Sequence, residues 1–159
     1  MGRKSFEHMN CGIAQSLEIL GDWWTLLVVR DAFLGVRRFR DFEASLGIAK
    51  NVLTDRLQRL VEHEILETVD IGESGTRYEY RLTEKGLALL PIVTSLREWG
   101  EEWILGEGNE PILVKDRRTG RRLPKLRLRD ADGNLIEPQD LVVEAGPGAD
   151  RATAERFRE

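Results

Sequence analysis

The chain has 159 residues, of which 41% are hydrophobic and 33% are charged, and its formal net charge is −4. This length suits one globular domain with an appendage, and the sequence has no apolar run long enough to predict a membrane-spanning helix or a membrane partner. The single cysteine excludes an intramolecular disulfide and is typical of a reducing compartment, so we expect a cytoplasmic protein.

Charge is distributed unevenly along the chain. Residues 36–60 carry six Lys or Arg against three Asp or Glu (net +3), residues 61–110 carry four against twelve (net −8), and residues 115–129 carry eight against one (net +7). Nearby charges matter most because the screening length is about 8 Å at physiological ionic strength. Basic segments beside an acidic body suit nucleic-acid binding, although each run alone also fits a solvated surface.

The first part of the chain predicts four helices. Residues 11–20 form an amphipathic helix that ends at Gly21, and Asp22 caps a very apolar second helix that ends at Gly35. A short third helix closes at Gly47, and a tight turn leads from it into the fourth.

The fourth helix, about residues 49–62, has two unlike faces. Leu53, Leu57 and Leu60 recur at i, i+4 and i+7 and predict a buried stripe. The opposite face carries hydrogen-bonding side chains where most surface helices carry Glu and Lys: Asn51, Thr54, Asp55, Gln58 and Arg59. Two short helices joined by a tight turn, the second with such a face, are typical of a helix-turn-helix.

Residues 66–83 change to a period of two and predict a β-hairpin. LETVDI and RYEYRLT have strand character, and GESGT between them is rich in turn residues, so the hairpin is the wing of a winged helix. Thr83 then caps a helical segment in which Pro91 predicts a break near Leu90.

An apolar stripe follows that break and consists of Val93, Leu96, Trp99 and Trp103. Two Trp residues on one helix exceed what a small domain needs for its own core. We therefore interpret the stripe as a dimer contact, with packing inside the chain as the alternative.

The predicted fold is mainly α with a small β-hairpin wing, a winged helix-turn-helix over residues 1–106. Residues 107–146 predict a short β-rich extension with strands in PILVKD, RRLPKLRLRD and LVVEAG, and an Asp-Gly turn in ADGN. Residues 147–159 predict a flexible tail. The basic run of the extension either contacts flanking DNA or packs on the acidic body.

A series of landmarks in order resembles the HxlR family of bacterial winged-helix transcriptional regulators. The landmarks are Cys11, Leu20-Gly21 with Trp24-Thr25, Arg37-Arg38-Phe39, Leu53 to Leu60, and Tyr80 to Gly86. The resemblance implies a homodimer built from the helix after the wing and from the N-terminal helix, which carries Ile13 and Leu17. It also implies recognition helices in two neighbouring major grooves of double-stranded DNA, with the wings at flanking minor grooves.

Three features depart from the family pattern. Ala49 stands where many members have a Ser that caps the recognition helix, and Asp55 stands where Gln is common. The extension is similar to a Cys-bearing, zinc-ribbon-type segment of some relatives but contains no thiol. One Cys and two His are too few for a zinc site, so we expect no metal and no cofactor.

The polar face of the fourth helix is predicted to read bases through Asn51, Thr54, Asp55 and Gln58, because amides pair with adenine and a carboxylate accepts from cytosine N4. The alternative for Asp55 is an i,i+4 pair with Arg59 that reads no base. Cations near the starts of the third and fourth helices are expected to contact phosphates: Arg37, Arg38 and Lys50.

For each of two further arginines the sequence leaves two alternative roles. Arg56 lies at the edge of the buried stripe and either reaches a phosphate or braces a carboxylate. Arg77 lies at the base of the wing tip and either enters the minor groove or is an ordinary exposed strand residue.

Cys11 matches a position at which some relatives sense oxidants, quinones or electrophiles. Its place at a helix start suits a reactive thiolate, whereas a lone Cys is more often a small buried hydrophobe. The effector itself is not identified by the sequence.

An enzyme is not expected, because the chain lacks a Cys/His pair at useful spacing and a Gly-rich phosphate loop. The competing hypothesis is a winged-helix module that binds a protein and not specific DNA, which net acidity and Asp55 favour.

Overall fold

A computed structural model describes residues 5–72 and 78–158. The chain forms two compact units, Met1–Leu90 and Pro91–Glu159. The first contains α1 (Gly12–Leu20), α2 (Trp23–Phe33), α3 (Phe39–Leu46), α4 (Lys50–Glu62), β1 (Leu66–Asp70), β2 (Tyr78–Leu82) and α5 (Glu84–Leu87). Then follow α6 (Leu90–Gly100), a π-helical turn (Glu101–Leu105), a 3-10 turn (Pro138–Asp140) and α7 (Arg151–Arg156).

The predicted helix boundaries are confirmed by their caps. The Asp22 carboxylate accepts from the Trp24 amide at 2.9 Å and so starts α2. Gly47 ends α3 in the left-handed conformation with φ +61°, which glycine adopts without a Cβ penalty. The Thr83 hydroxyl caps α5, whereas Ala49 starts α4 without a side-chain cap.

The core of the first unit forms around α2, which contacts α1, α3, α4 and β2. The very apolar second helix is therefore central to this unit. The largest fully buried apolar side chains of this core are Val28, Val29, Phe42, Leu53, Leu57, Leu60 and Leu66.

The hairpin pairs β1 and β2 in antiparallel register from Leu66↔Leu82 to Asp70↔Tyr78. The Tyr80 amide donates to the Arg37 carbonyl at 2.8 Å, which attaches the hairpin to the segment just before α3. The Tyr80 ring also packs edge-on against Phe42 with centroids 6.4 Å apart, and burial raises the pKa of the Tyr80 phenol. The predicted winged helix-turn-helix is therefore confirmed, and the wing tip lies outside the described residues.

The helical segment after the wing is broken as Pro91 predicts. Helix α5 ends at Leu87 and α6 begins at Leu90, so Pro91 lies in the first turn of α6, where its missing N–H is tolerated. No helix in the described part of the chain combines the length and apolar character needed to cross a bilayer.

The extension differs from the predicted strands. Between Gly106 and Asp150 the strand pairing consists of two isolated bridges, Lys115↔Arg122 and Arg129↔Leu135, the second of which encloses the predicted turn in ADGN. Paired strands need a buried apolar face, and apolar residues of the predicted strands are exposed here: Leu123, Leu126, Leu128, Val142 and Val143. The segment predicted as a flexible tail contains α7.

Candidate nucleic-acid interface

Helix α4 has one face in the core and one face in solvent. Leu53, Leu57 and Leu60 each have 0% exposure and fix the rotation of the helix about its axis. Because side chains repeat every 3.6 residues, this rotation places the polar residues of α4 outward. The predicted division into two faces is therefore present in the structure.

The outward face presents Asn51, Thr54, Asp55 and Gln58, all exposed. The Thr54 hydroxyl donates to the Lys50 carbonyl at 2.8 Å, which leaves its oxygen able to accept. The Gln58 amide nitrogen donates to Glu62 at 2.9 Å, and this bond leaves the side-chain carbonyl oxygen of Gln58 able to accept a hydrogen bond. These groups together offer both donors and acceptors to a base edge.

Arg56 is committed to the protein itself. Its guanidinium donates to both Asp22 carboxylate oxygens, at 2.7 and 2.8 Å, and also to the Asp55 carboxylate. Burial opposes ionisation of Asp22, but hydrogen bonds from Arg56 and the Trp24 amide outweigh it and lower the pKa of the carboxyl. Of the two roles predicted for Arg56, the structure contains the brace, which links the start of α2 to the middle of α4.

Arg59 does not pair with Asp55, so the i,i+4 alternative considered for Asp55 is wrong. Its guanidinium donates instead to the Glu18 carbonyl at 2.8 Å. Glu18 lies in the last turn of α1, where carbonyl groups lack helical partners and attract cations. Arg59 therefore fastens α1 to α4, and Asp55 pairs with its neighbour Arg56.

The remaining predicted phosphate contacts divide by exposure. Arg37 donates to the Ala32 carbonyl at 2.6 Å and is partly buried. Arg38 is the N-cap residue of α3, with 48% of its side chain exposed and Glu79 at 4.0 Å. Lys50 opens α4 with 75% of its side chain exposed and Glu43 at 3.9 Å. Arg38 and Lys50 thus remain directed at solvent.

A surface depression of about 340 Å³ lies between the start of α3 and the wing. Its lining residues are Arg38, Phe39, Arg40, Ile71 and Tyr78. Arg40 has 80% of its side chain exposed, and Tyr78 is 50% exposed. Neither was among the predicted site residues, although the VRRFRDF spacing contained a signal, since Arg38 and Arg40 open the same helix.

The wing contributes its two strands to this region. Arg77, the arginine predicted for the minor groove, lies outside the described residues. Arg81 on β2 is exposed and paired with Glu79 at 3.0 Å.

Cys11 occupies the N-cap position of α1 and is exposed. The alternative of a small buried hydrophobe is therefore wrong. The residue caps the helix without a side-chain hydrogen bond. Within the described residues, no group of three His, Cys, Asp or Glu side chains is placed to hold a metal.

The residues predicted for dimer contact are mostly exposed in the single chain. On α1, Ile13 is 74% exposed and Leu17 is 42% exposed. In the second unit, Leu96, Trp99 and Trp103 are 53%, 57% and 70% exposed, whereas Val93 is half-buried. Each unit therefore presents apolar side chains that its own chain leaves exposed.

Comparison with known proteins supports this architecture. Residues 19–107 match the family described as HxlR-like helix-turn-helix. The chain is similar to the uncharacterised HTH-type transcriptional regulator Rv3095 of Mycobacterium tuberculosis, with 35% identity over 86% of each protein. Several solved structures are also similar to it, including those of PA1607 and of the redox regulator HypR. The solved structure of PA1607 is 40% identical, with a TM-score of 0.82 over 90% of this chain and 100% of that one.

The second solved structure is the redox regulator HypR in its reduced form. It is 29% identical, with a TM-score of 0.54 over 57% of this chain and 91% of that one. The match to the family covers more than half of the chain, and the helices and wing described above have the order that a winged helix-turn-helix requires. The chain belongs to the HxlR-like helix-turn-helix family of transcriptional regulators.

Proposed function

We propose that the protein is a homodimeric, sequence-specific regulator of transcription that acts on double-stranded DNA in the cytoplasm. Helix α4 enters the major groove, and the wing lies at the adjacent minor groove. The observation that carries this proposal is the orientation of α4, whose three leucines are fully buried while its amide and hydroxyl side chains face solvent.

The outward face supports a division between sequence reading and phosphate contact. In this proposal Asn51 and Gln58 pair with adenine, and Asp55 disfavours sequences that place an acceptor opposite it. Phosphates are contacted by exposed cations outside this stripe: Arg38, Arg40 and Lys50. Tyr78 adds a hydroxyl donor beside Arg38 and Arg40.

Arg56 and Arg59 act on binding indirectly in this proposal. Their hydrogen bonds to Asp22 and Glu18 hold α4 against α2 and α1, so they set the angle at which the outward face is presented. Their replacement is expected to change stability first and DNA affinity as a consequence.

Homodimer formation is supported by the uncovered apolar surfaces. Trp99 and Trp103 expose large rings on one side of the segment from α6 into the π-helical turn, and exposed clusters of this kind mark interaction sites. A dimer would bring two copies of α4 to successive major grooves, which are about 34 Å apart along the duplex.

Fluorescence anisotropy with DNA recovered from the purified protein tests the proposal. Arg38→Ala should weaken binding to all duplexes alike and reduce the slope of log K against log salt by about 1 per protomer, because a phosphate contact releases counterions. Gln58→Ala should change the sequence preference and leave that slope unchanged. Lys85→Ala, an exposed cation on α5, is the matched control with no expected effect.

The protein-interaction alternative makes a different prediction. A module that binds only a protein would show no steep salt dependence with any duplex and no difference between Arg38→Ala and Lys85→Ala. If Arg38→Ala and Gln58→Ala each weakened binding by the same factor for every DNA sequence, the proposed division of roles would be contradicted.

Regulation by oxidants or electrophiles through Cys11 is the second part of the proposal. It is supported by exposure of Cys11 at the N-cap of α1 and by similarity to a redox regulator. Because Arg59 fastens α1 to α4, a modification that shifts α1 is expected to alter DNA affinity. Mass spectrometry and anisotropy after mild diamide treatment provide the test. The Cys11→Ser variant should lose both the adduct and the response, and unmodified Cys11 with unchanged binding would refute the idea.

A further inference from the structure

A basic turn in the second unit is closed by backbone hydrogen bonds. It comprises residues 115–122, KDRRTGRR, and is called the arginine turn below. Lys115 and Arg122 form an isolated antiparallel bridge. The Asp116 amide donates to the Arg121 carbonyl at 2.9 Å, and the Gly120 amide donates to the Asp116 carbonyl at 2.8 Å. The left-handed backbone of Gly120, with φ +68°, completes the reversal of the chain.

The one acidic residue of the arginine turn organises its backbone. The Asp116 carboxylate accepts from the Arg118 amide at 2.8 Å, and this bond lowers the pKa of Asp116. The Arg118 guanidinium lies 3.5 Å from the same carboxylate but keeps 89% of its side chain exposed. Asp116 therefore shapes the turn and leaves most of its positive charge in solvent.

Two cations at the end of the arginine turn and just after it pair with glutamates of the same unit. Arg122 donates to Glu110 at 2.7 Å and Lys125 to Glu102 at 2.7 Å, and these bonds lower the pKa values of both glutamates. The Leu126 amide donates to Glu98 at 2.9 Å. The extension thus packs on the acidic segment at its base, as one of the two sequence alternatives predicted.

The tip itself is left with three exposed arginines, Arg117, Arg118 and Arg121. Among residues 5–72 and 78–158, the one carboxylate within ion-pair distance of these three side chains is Asp116. Three guanidinium groups within five residues on a hydrogen-bonded turn form a local positive surface on a chain whose net charge is −4.

We infer that the arginine turn binds the phosphate backbone of duplex DNA without reading its sequence. The inference rests on the proposed function, which brings the protein to DNA. Guanidinium groups present donors in a fork that matches phosphate oxygens, and they are more weakly hydrated than the ammonium group of lysine. The arginine turn is closed by one isolated bridge and is neither a helix nor a two-stranded ribbon that fits the major groove, so its arginines contribute to affinity and not to sequence preference.

The test compares two triple variants of the full-length protein with the same change in charge. Arg117→Ala, Arg118→Ala and Arg121→Ala are combined in the first variant. The control combines substitutions of exposed arginines in and after α7: Arg151→Ala, Arg156→Ala and Arg158→Ala. Circular dichroism and the thermal midpoint establish that both variants fold. Anisotropy is then measured with the recovered DNA and with a scrambled duplex, from about 50 to about 200 mM salt.

Loss of three phosphate contacts should reduce the salt slope by about 2.7 per protomer, because each contact contributes about 0.9. A dimer loses six such contacts, so over a fourfold change in salt wild-type binding should weaken about 40-fold more per protomer, or on the order of 1,000-fold more for the dimer, than binding of the tip variant. The reduction should be equal for both duplexes and absent in the control. Replacing the same three arginines with lysine should restore most of the slope.

Two results would overturn the inference alone: a wild-type slope that is steep and unchanged in the tip variant, or an equal reduction in the control, which would reflect net charge. A wild-type protein whose binding to both duplexes lacks salt dependence would overturn the proposed function and this inference together. Capture of an acidic protein by the turn with no change in DNA slope would assign the surface to another partner and so refute the DNA assignment.

Discussion

The assignment of Arg56 as a brace can be tested by measuring how much its pair with Asp22 contributes to the free energy of unfolding. Two charge-assisted hydrogen bonds of 2.7 and 2.8 Å join side chains that are only 26% and 20% exposed, respectively. Bonds to charged groups contribute about 1.5–3 kcal/mol and exposed ion pairs about 0.2–1 kcal/mol, so partial burial places the coupling energy at about 1–2 kcal/mol. Asp22→Ala also removes the cap of α2, which adds about 1 kcal/mol.

A double-mutant cycle in urea measures this coupling. Asp22→Ala should lower the free energy of unfolding by about 2–3 kcal/mol and Arg56→Ala by about 1–2 kcal/mol. The double variant should lose less than the sum of the two, because the second substitution removes a partner already unpaired. Asp22→Asn is the matched control, since asparagine keeps the cap but not the charge. Protein concentration is held constant because a dimer links stability to concentration.

The stabilisation by the Asp22–Arg56 pair should decrease as the pH falls. Burial tends to raise the pKa of Asp22, but the bonds from Arg56 and Trp24 outweigh it, so the folded pKa is lower than in the unfolded chain. The stabilisation is therefore complete above the unfolded carboxyl pKa of about 3.9 and is lost as the pH falls through the folded value. The advantage of the wild type over Asp22→Asn should be full at neutral pH and should shrink in acid.

The interpretation of Arg56 as a brace is refuted by one combination of results. The coupling energy would be near zero, and Arg56→Ala would reduce the salt slope of DNA binding as much as Arg38→Ala does. In that case the guanidinium would serve a phosphate in the complex and not Asp22.

Three further predictions concern packing and assembly. Ala49→Ser should add the missing cap of α4 and stabilise the protein by about 0.5–1.5 kcal/mol in urea, whereas an unchanged midpoint would show that the hydroxyl does not reach the helix amides. Gly86→Ala should destabilise by about 3 kcal/mol or more, because its Cβ would lie 2.2 Å from the Ile65 carbonyl oxygen; Gly100→Ala, with nothing within 4 Å, is the tolerated control. Trp99→Asp should shift the protein towards monomer in light scattering, while Val142→Asp on the exposed extension should not; equal masses for the two variants would remove Trp99 from the interface.

Local signals along the chain were sufficient to predict the helix-turn-helix and the wing. Helix ends depend on neighbouring residues, so Asp22, Gly47 and Thr83 mark boundaries that the structure contains. The buried stripe of α4 follows from a period of 3.6 residues, which needs no tertiary information. These features could be predicted because their causes lie within a few residues of each other.

The partners of the arginines could not be predicted in the same way. Asp22 and Glu18 lie 34 and 41 residues before Arg56 and Arg59, and only packing brings them together. Spacing along one helix suggested Asp55 as the partner of Arg59, because i,i+4 neighbours are visible in a sequence and cross-helix neighbours are not. The strand prediction for the extension failed for a related reason, since a pattern of apolar and polar residues predicts a strand only where one face is buried.

The distribution of cations explains how an acidic protein can present a surface for DNA. Between residues 36 and 60, three arginines donate to acceptors inside the first unit: Arg37, Arg56 and Arg59. The other three cations keep about half or more of their side chains exposed: Arg38, Arg40 and Lys50.

A dimer therefore offers six such charges from its two helix-turn-helix motifs, which corresponds to a salt slope of about −5. The three exposed arginines of each arginine turn would raise the number of phosphate contacts to twelve and the slope to about −11. These two values are far enough apart that the wild-type slope alone distinguishes binding through the helix-turn-helix from binding that also uses the second unit.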